Sequence, residues 1–343
     1  MDSSKTEWDL ADPVGARNLA RAALDPGVWA YLERRADGGQ VDRNLAAWAA
    51  MDLRPRILRG VGEVDTSVTV LGRRLEAPIL TAPNGRATRY HPDGERAVMT
   101  GAQNAGVGVV IGSSAGHALK ALSASASPTL LWSQVYLATE EAQVARFVER
   151  AVEAGCHAIV ATVDLVPGRP SAQGLPALHR PEWEPELAAD GAAPLYAAAG
   201  IADLERLVRR SPLPVVVKGV LRGDDARICV EAGAAGLIVS NHGDAQLAGA
   251  IPSVRALPAV VDAVGGKVEV YVDGGIRDGA SVVRALALGA RAVLVGRPVT
   301  YGLAVAGAAG VETVIQSLRA DLKRAMALCG AARLSDIGAD LIG

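Results

Sequence analysis

Lys218, His242, Asp273 with Gly274 and Gly275, and Gly296 with Arg297 are the residues of this chain best suited to chemistry. All lie in Pro214–Pro298, where the runs PVVVKGV, GLIVSNHGDAQL, VEVYVDGGIRDG and AVLVGRP each end in a polar or glycine-rich cluster. The set holds one cation, one titratable base and two glycine–arginine loops. Gly275 with Arg277, and Gly296 with Arg297, combine close backbone approach with a fork of donors, the chemistry that takes a phosphate. Turn glycines beside surface arginines are the plainer reading, but two such loops on consecutive strands favour phosphate. His242 alone reads more readily as a satisfied core histidine. Asp164, at the end of ATVD, changes that weighing, because a carboxylate against an imidazole fixes its tautomer and stabilises its protonated form. Lys218 needs an anion beside it if buried: a phosphate, a substrate carboxylate, an anionic ring, or simply Asp164 or Asp273. Ser113, Gln134, Tyr136 and Thr162 end other apolar runs and add a polar ring.

These residues need a scaffold that gathers strand ends. Between the four runs lie DDARICVEAGA, VRALPAVVDAV and ASVVRALALGA, all of helical composition. Val- and Ile-rich strands alternating with helices imply parallel βαβ units. The alternation starts at Ala77 with APILTAP and continues through VGVVIGSS, TLLWSQVY and AIVATVD. Eight such strands predict an α/β fold, a (β/α)8 TIM barrel, with its functional residues at the C-terminal strand ends. In TEEAQVARFVERAVEAG, Val144, Phe147, Val148 and Val152 share one helical face, and Thr139 is placed to cap it. Residues 1–60 form an N-terminal helical extension, with helical patterns from Val14 and Val28, that either plugs the barrel bottom or flanks its mouth. The chain reads as a single domain, with the barrel over residues 77–343. Residues 165–199 carry no strand and form a loop after strand 4, read as a lid or as a floppy insertion.

The chain has 343 residues, enough for one such barrel of roughly 250 residues plus extensions. Half the residues are apolar but only 3% are aromatic, so Ala, Val and Leu must carry the burial. A net charge of −2 argues against nucleic acid or an anionic membrane as partner. No uninterrupted apolar run reaches the ~18 residues of a membrane span, and the N-terminus does not read as a secretory signal. Cys156, Cys229 and Cys329 lack a CxxC spacing, which fits reduced thiols and a cytoplasmic location. His91 opens HPDGE, a helix-start pattern, and His117, His157 and His179 lack metal-ligand spacing, so no metal is expected.

With these motifs the chain resembles the FMN-dependent 2-hydroxy-acid oxidase and dehydrogenase family, which includes glycolate oxidase, lactate oxidase and mandelate dehydrogenase. The likeness runs from about Val28 to Ile337. It rests on LRPR at Leu53, HPDGE at His91, SQVY at Ser133, ATVD at Ala161, VVKGV at Val216, SNHG at Ser240, DGGIRDG at Asp273 and VGRP at Val295. The resemblance implies FMN, its phosphate on Gly275, Arg277, Gly296 and Arg297, with Asp273 in the same site. It implies that the flavin ring meets Pro83, Asn84, Gly85, Ser113, Gln134, Thr162 and Lys218. His242 would be the base and Asp164 its partner, with Tyr136 and Tyr31 facing the substrate and a hydride equivalent passing to flavin N5. It also implies oxygen or another electron acceptor and a homo-oligomer, a tetramer or octamer.

Two departures concern the substrate. After SNHG the family continues with an arginine that grips the substrate carboxylate, and here that position is Ala245. The family's Gly-Arg-Arg run after strand 4 is Gly168-Arg169-Pro170, so Arg169 substitutes for it only under a shifted alignment. Ala115 stands where the family carries a bulky side chain. The expected substrate is therefore a 2-hydroxy acid held by Arg169 and Tyr31, or a larger biosynthetic alcohol or amine. The second resembles the pre-mycofactocin synthase type, which also lacks the arginine, and Ala245 tilts the reading towards it. Other function classes are a flavin-binding protein with weak catalysis and a phosphate-binding barrel isomerase.

Overall fold

The computed structural model describes residues 10–39, 42–137, 141–165 and 199–343. Eight parallel strands close into a barrel in chain order: β1 Ile79–Thr81, β2 Gly108–Ile111, β3 Leu131–Tyr136, β4 Ala158–Thr162, β5 Val215–Val220, β6 Gly236–Val239, β7 Glu269–Val272 and β8 Ala292–Val295. The strands are almost wholly buried, because side chains fill the barrel inside and helices cover it outside. Leu80, Val110, Trp132, Val160, Val216, Ile238, Tyr271 and Leu294 form the inner core, with Trp132 and Tyr271 edge to face at 5.4 Å. The (β/α)8 reading thus describes the structure.

The barrel bottom is plugged by an element absent from the expectation. Val68–Val70 and Arg73–Leu75 form an antiparallel hairpin whose Val68, Val70 and Leu75 join the inner core. Arg291 Nε donates to the Thr69 carbonyl at 2.7 Å and fastens the hairpin to the start of β8. The N-terminal helices are therefore free to take the opposite end. They are α1 Pro13–Ala23, α2 Pro26–Leu32 and α3 Arg43–Ala49. Each starts on an aspartate, Asp12, Asp25 or Asp42, whose carboxylate accepts a backbone N–H of the first turn. The helix over the Val28 pattern ends at Leu32, with Glu33 as its C-cap. Beyond it, Glu33 accepts from the Tyr301 hydroxyl, Arg34 lies over the Tyr31 ring and Arg35 pairs with Asp42.

The helix after β8 runs from Arg297 to Leu328 and is long and apolar enough, by length and composition, to cross a membrane. It departs from helical geometry at Ala306 and Gly307, and its apolar face packs into the barrel's outer core. The cap expected at Thr139 and most of the 165–199 loop, including Arg169 and His179, lie outside the described residues.

Candidate active site

Strand register puts the polar ring on one level. Tyr136 pairs with Thr162 across β3 and β4, and Thr162 with Lys218 across β4 and β5. Gln134 sits two residues lower on the same face of β3, where its Nε2 donates to Thr162 Oγ1 at 2.9 Å and its Oε1 accepts from Ser113 N at 3.1 Å. Gln134, Tyr136, Thr162, Lys218, His242, Asp273, Gly275, Arg277, Gly296 and Arg297 line one cavity at the C-terminal mouth.

Lys218 is buried there between Asp273 and Ser240, with its Nζ 3.1 Å from Asp273 Oδ2 and 2.8 Å from Ser240 Oγ. Burial alone would favour the neutral amine, but the charges of Asp273 and Asp164 outweigh it and raise its pKa. The ion pair weighed from the sequence is thus present, to Asp273. It uses only one carboxylate oxygen: Asp273 Oδ1 is buried with no hydrogen-bond partner.

His242 Nδ1 lies 3.1 Å from Asp164 Oδ1 and 3.2 Å from Oδ2. Burial pushes the Asp164 carboxyl up, but Lys218 and then His242 overcome this and hold it below its ordinary value. An ionised Asp164 accepts a proton-bearing Nδ1, which leaves Nε2 as the basic ring nitrogen. His242 stands on a turn with unusual backbone: φ is 58° at His242, 66° at Gly243 and 63° at Asp244. Left-handed backbone at two residues with side chains costs roughly 1–2 kcal/mol each. Side chains from elsewhere hold the turn. Asn241 Oδ1 accepts from Asp244 N at 3.1 Å, and the Asn241 and Asn44 amides donate to each other at 2.9 and 3.1 Å. Asn44 lies on α3, so the N-terminal extension positions the His242 turn. Ser253 joins the network through Asn241 N and Asn44 Oδ1.

The same helix packs on the loop after β7. Trp48 Nε1 donates to the Gly274 carbonyl at 2.8 Å. A Cβ at Gly275, where φ is 82°, would come within 2.8 Å of both Asn44 Cβ and the Trp48 ring. Glycine is thus required there by packing as well as by conformation. Arg297 was expected to face a phosphate. Its guanidinium instead donates to the carbonyls of Leu32, Arg34 and Gly243 and to Asp42 Oδ2. Burial and the neighbouring Arg277 depress its pKa, against Asp42 and Glu33. Asp42 also accepts from Arg35 at 3.0 Å and lies 3.9 Å from Arg277. The exposed side of this end is left to Arg277, the glycine backbones and the N-terminus of the long helix that opens after Gly296.

On the substrate side, Pro83, Asn84 and Gly85 line the cavity, and Asn84 Nδ2 donates to Thr300 Oγ1 at 2.7 Å. Ser114 lines it with them, whereas Ser113 and Ala115 face an adjoining pocket beside β2 and β3 that shares Gln134. A Cβ at Gly85 would lie 2.8 Å from Ser114 Oγ, so the glycine and that serine position are matched. Glu95, buried behind this loop, accepts from Ala87 N, Gly116 N and His117 Nδ1 and ties the loops after β1 and β2 together. Tyr31 lines the cavity with Arg34 and Ala245. Arg34 and Arg89 both lie over the Tyr31 ring, at 3.9 and 4.6 Å from its centre. Asp42, Asn44, Trp48, Arg34 and Arg89 are not singled out by the sequence, and Glu95 reads there only as the end of the HPDGE helix start.

Comparison with known proteins agrees with this geometry. The family model of FMN-dependent dehydrogenases matches residues 20–343. The chain is 41% identical to an L-lactate oxidase of Nostoc sp., over 95% of this chain and 94% of that one. It is 38% identical to a 4-hydroxymandelate oxidase of Amycolatopsis orientalis, over 92% and 94% of the two chains. A crystal structure of mandelate oxidase with (S)-2-phenylpropionate superposes with a TM-score of 0.87 at 35% identity, covering 97% of this chain and 98% of that one. Another mandelate oxidase structure holds a C4a-hydroxy-FMN adduct. The site here fits such a group. Asp273 Oδ1 is an unpartnered acceptor for a ribityl hydroxyl, Lys218 is a cation for an electron-rich ring edge, and a helix N-terminus with Arg277 suits a phosphate. The protein belongs to the FMN-dependent dehydrogenase family, with FMN as its cofactor.

Proposed function

We propose that this protein oxidises 2-hydroxy acids, with His242 as the base and oxygen as the electron acceptor. The observation that carries the reading is the His242–Asp164 pair at 3.1 Å, in the cavity that holds Lys218 and Tyr136. FMN, when bound, accepts the two electrons released by the substrate. Asp164 holds His242 in one tautomer and stabilises the imidazolium that forms when Nε2 takes the substrate proton. Tyr136 stands on the same level as Lys218, one strand removed, and orients the substrate oxygen. Lys218, kept protonated by its pairing with Asp273, would supply the cation for negative charge developing on the flavin ring. Gly275, Arg277 and Gly296 would hold the phosphate, and Arg297 fixes the shape of that end. The names of the relatives, lactate, hydroxyacid and mandelate oxidases, support the substrate class.

One observation favours a second reading, a larger alcohol or amine without a carboxylate: Ala245 lines the mouth where an arginine was expected. Anaerobic titration with a panel of (S)-2-hydroxy acids separates the two. Bleaching of the flavin absorbance supports the first reading. A spectrum that stays yellow with every acid but bleaches with an uncharged alcohol overturns it. The free, buried cysteines support a reducing, cytoplasmic setting. A homo-oligomer remains part of the proposal, and light scattering tests it.

A further inference from the structure

The mouth holds two arginines that the ion pairs of the cofactor end do not use. Arg34 follows the end of α2, lines the cavity and donates from Nη1 to the Tyr31 carbonyl at 2.8 Å. Its guanidinium carbon lies 3.9 Å from the centre of the Tyr31 ring. Arg89 reaches the same ring from the turn Ala87–Arg89 after β1, at 4.6 Å. Its Nε is buried and has no hydrogen-bond partner. Among the described residues, neither guanidinium is ion-paired with a carboxylate. A tyrosine ring offsets part of the charge of one cation, but two guanidinium groups over one ring repel each other. An anion beside Tyr31 would balance both charges, and Tyr31 lines the same cavity as His242 and Tyr136.

We propose that Arg34, supported by Arg89 across the Tyr31 ring, grips the substrate carboxylate in place of the arginine absent at Ala245. The inference rests on the 2-hydroxy-acid reading above. A guanidinium matches a carboxylate with two parallel donors, and the other lysine and arginines that line the cavity, Lys218, Arg277 and Arg297, each have an aspartate partner. The anchor has therefore moved from the turn that carries the base to the N-terminal extension. Orientation of the acid then depends on where residues 31–36 dock. Ala36 N donates to the Asp244 carbonyl at 2.9 Å, which ties the displaced anchor back to the His242 turn.

The test uses FMN-loaded protein and three probes: (S)-mandelate, its carboxamide, and phenylacetate as a carboxylate that cannot be oxidised. Phenylacetate binding is read from the perturbed flavin spectrum. Arg34→Gln and Arg89→Gln are compared with Arg34→Lys, and FMN content checks that each variant is folded. For Arg34→Gln, KM for mandelate and Kd for phenylacetate should rise about 10- to 100-fold, as expected for a lost charge-assisted hydrogen bond. The mandelate kcat and the carboxamide KM should change less than about threefold, Arg34→Lys should recover part of the loss, and Arg89→Gln should show a smaller effect of the same kind. Equal losses for acid and amide, or unchanged phenylacetate affinity, would overturn the anchor. Wild-type protein that oxidises no 2-hydroxy acid, yet binds phenylacetate in an Arg34-dependent way, would overturn the functional reading and leave the anchor standing. Wild-type protein that binds no phenylacetate would overturn the anchor whatever it oxidises.

Discussion

Two groups of arginines stand around one cavity, which Arg34, Arg277 and Arg297 line directly, and they are treated differently. At the cofactor end, Arg35, Arg277 and Arg297 surround Asp42, and Arg297 adds three backbone carbonyls. At the substrate end, Arg34 and Arg89 rest on an aromatic ring and meet no carboxylate. The first group is largely satisfied by the protein, so its main effect is shape: it fixes where α2 and α3 sit relative to the loops after β6, β7 and β8. The second is charge held in reserve. A guanidinium already given its acceptors has little left for a ligand, whereas one parked on a ring can exchange that weaker contact for a carboxylate at small cost.

Removing the residue between the two groups should have the largest effect. His242→Ala should slow substrate-dependent flavin reduction about 10²- to 10⁴-fold while FMN stays bound, measured by anaerobic stopped flow. Near wild-type reduction would remove His242 from its role and leave the comparison without a reaction to serve. Next, Lys218→Met leaves Asp273 as a buried, unpaired carboxylate. Breaking such a pair typically costs about 3–5 kcal/mol, which should appear as a lower melting temperature and weaker FMN retention. Asp42→Ala attacks the satisfied group itself. It deletes the α3 cap, worth about 1 kcal/mol, and leaves three arginines without their shared counter-ion. Fluorescence titration should then give a higher FMN Kd, with less change in discrimination between acid and amide.

A pH series probes the pair beneath both groups. Asp164 is held below its ordinary carboxylate value, so its stabilising contribution is complete above about pH 4. That contribution is lost as pH falls through the lower folded value. Melting temperature in acid should therefore fall less steeply for Asp164→Asn than for wild type. The smallest effect is expected from Ala245→Arg. This position is buried and lines the mouth, and in wild type the carboxylate already has Arg34. The kcat/KM for small 2-hydroxy acids should change by less than about threefold in wild type. It should recover by up to about tenfold when added to Arg34→Gln, as one charge-assisted bond is restored. A large gain in wild type would mean that the substrate end lacks an anchor after all.

The barrel was legible because strand and helix periodicities alternate, and the strand-end residues were legible because topology gathers them. Lys218, His242, Asp164, Gln134 and Thr162 follow from that rule alone. The Lys218–Asp273 pair was foreseeable because a buried ammonium demands an anion. Three features were not legible. Arg297 reads as a phosphate ligand from its glycine–arginine context, but its side-chain partners lie in α2 and its following loop, and no local pattern announces them. Ser113 and Ser114 are adjacent in a turn, so periodicity cannot say which one enters the cavity. Arg34 and Arg89 sit in irregular segments with no strand or helix to aim them. Their meeting over Tyr31 is a tertiary event, and the missing arginine at Ala245 was the only hint that a cation was needed elsewhere.

The clasp between α3 and the far loops has a consequence for how the chain reaches this state. Asn44 and Asn241 are 197 residues apart, Trp48 and Gly274 226, and Arg297 and Leu32 265. Contacts of such separation close only after much chain entropy has been spent, and during synthesis the early partner waits for the late one to emerge. The barrel wall is mostly built from strands adjacent in the chain, but its closing pair, β1 with β8, spans a comparable separation. Closure of the barrel and completion of the mouth are therefore both late events, and the segment that bears Tyr31 and Arg34 depends on both.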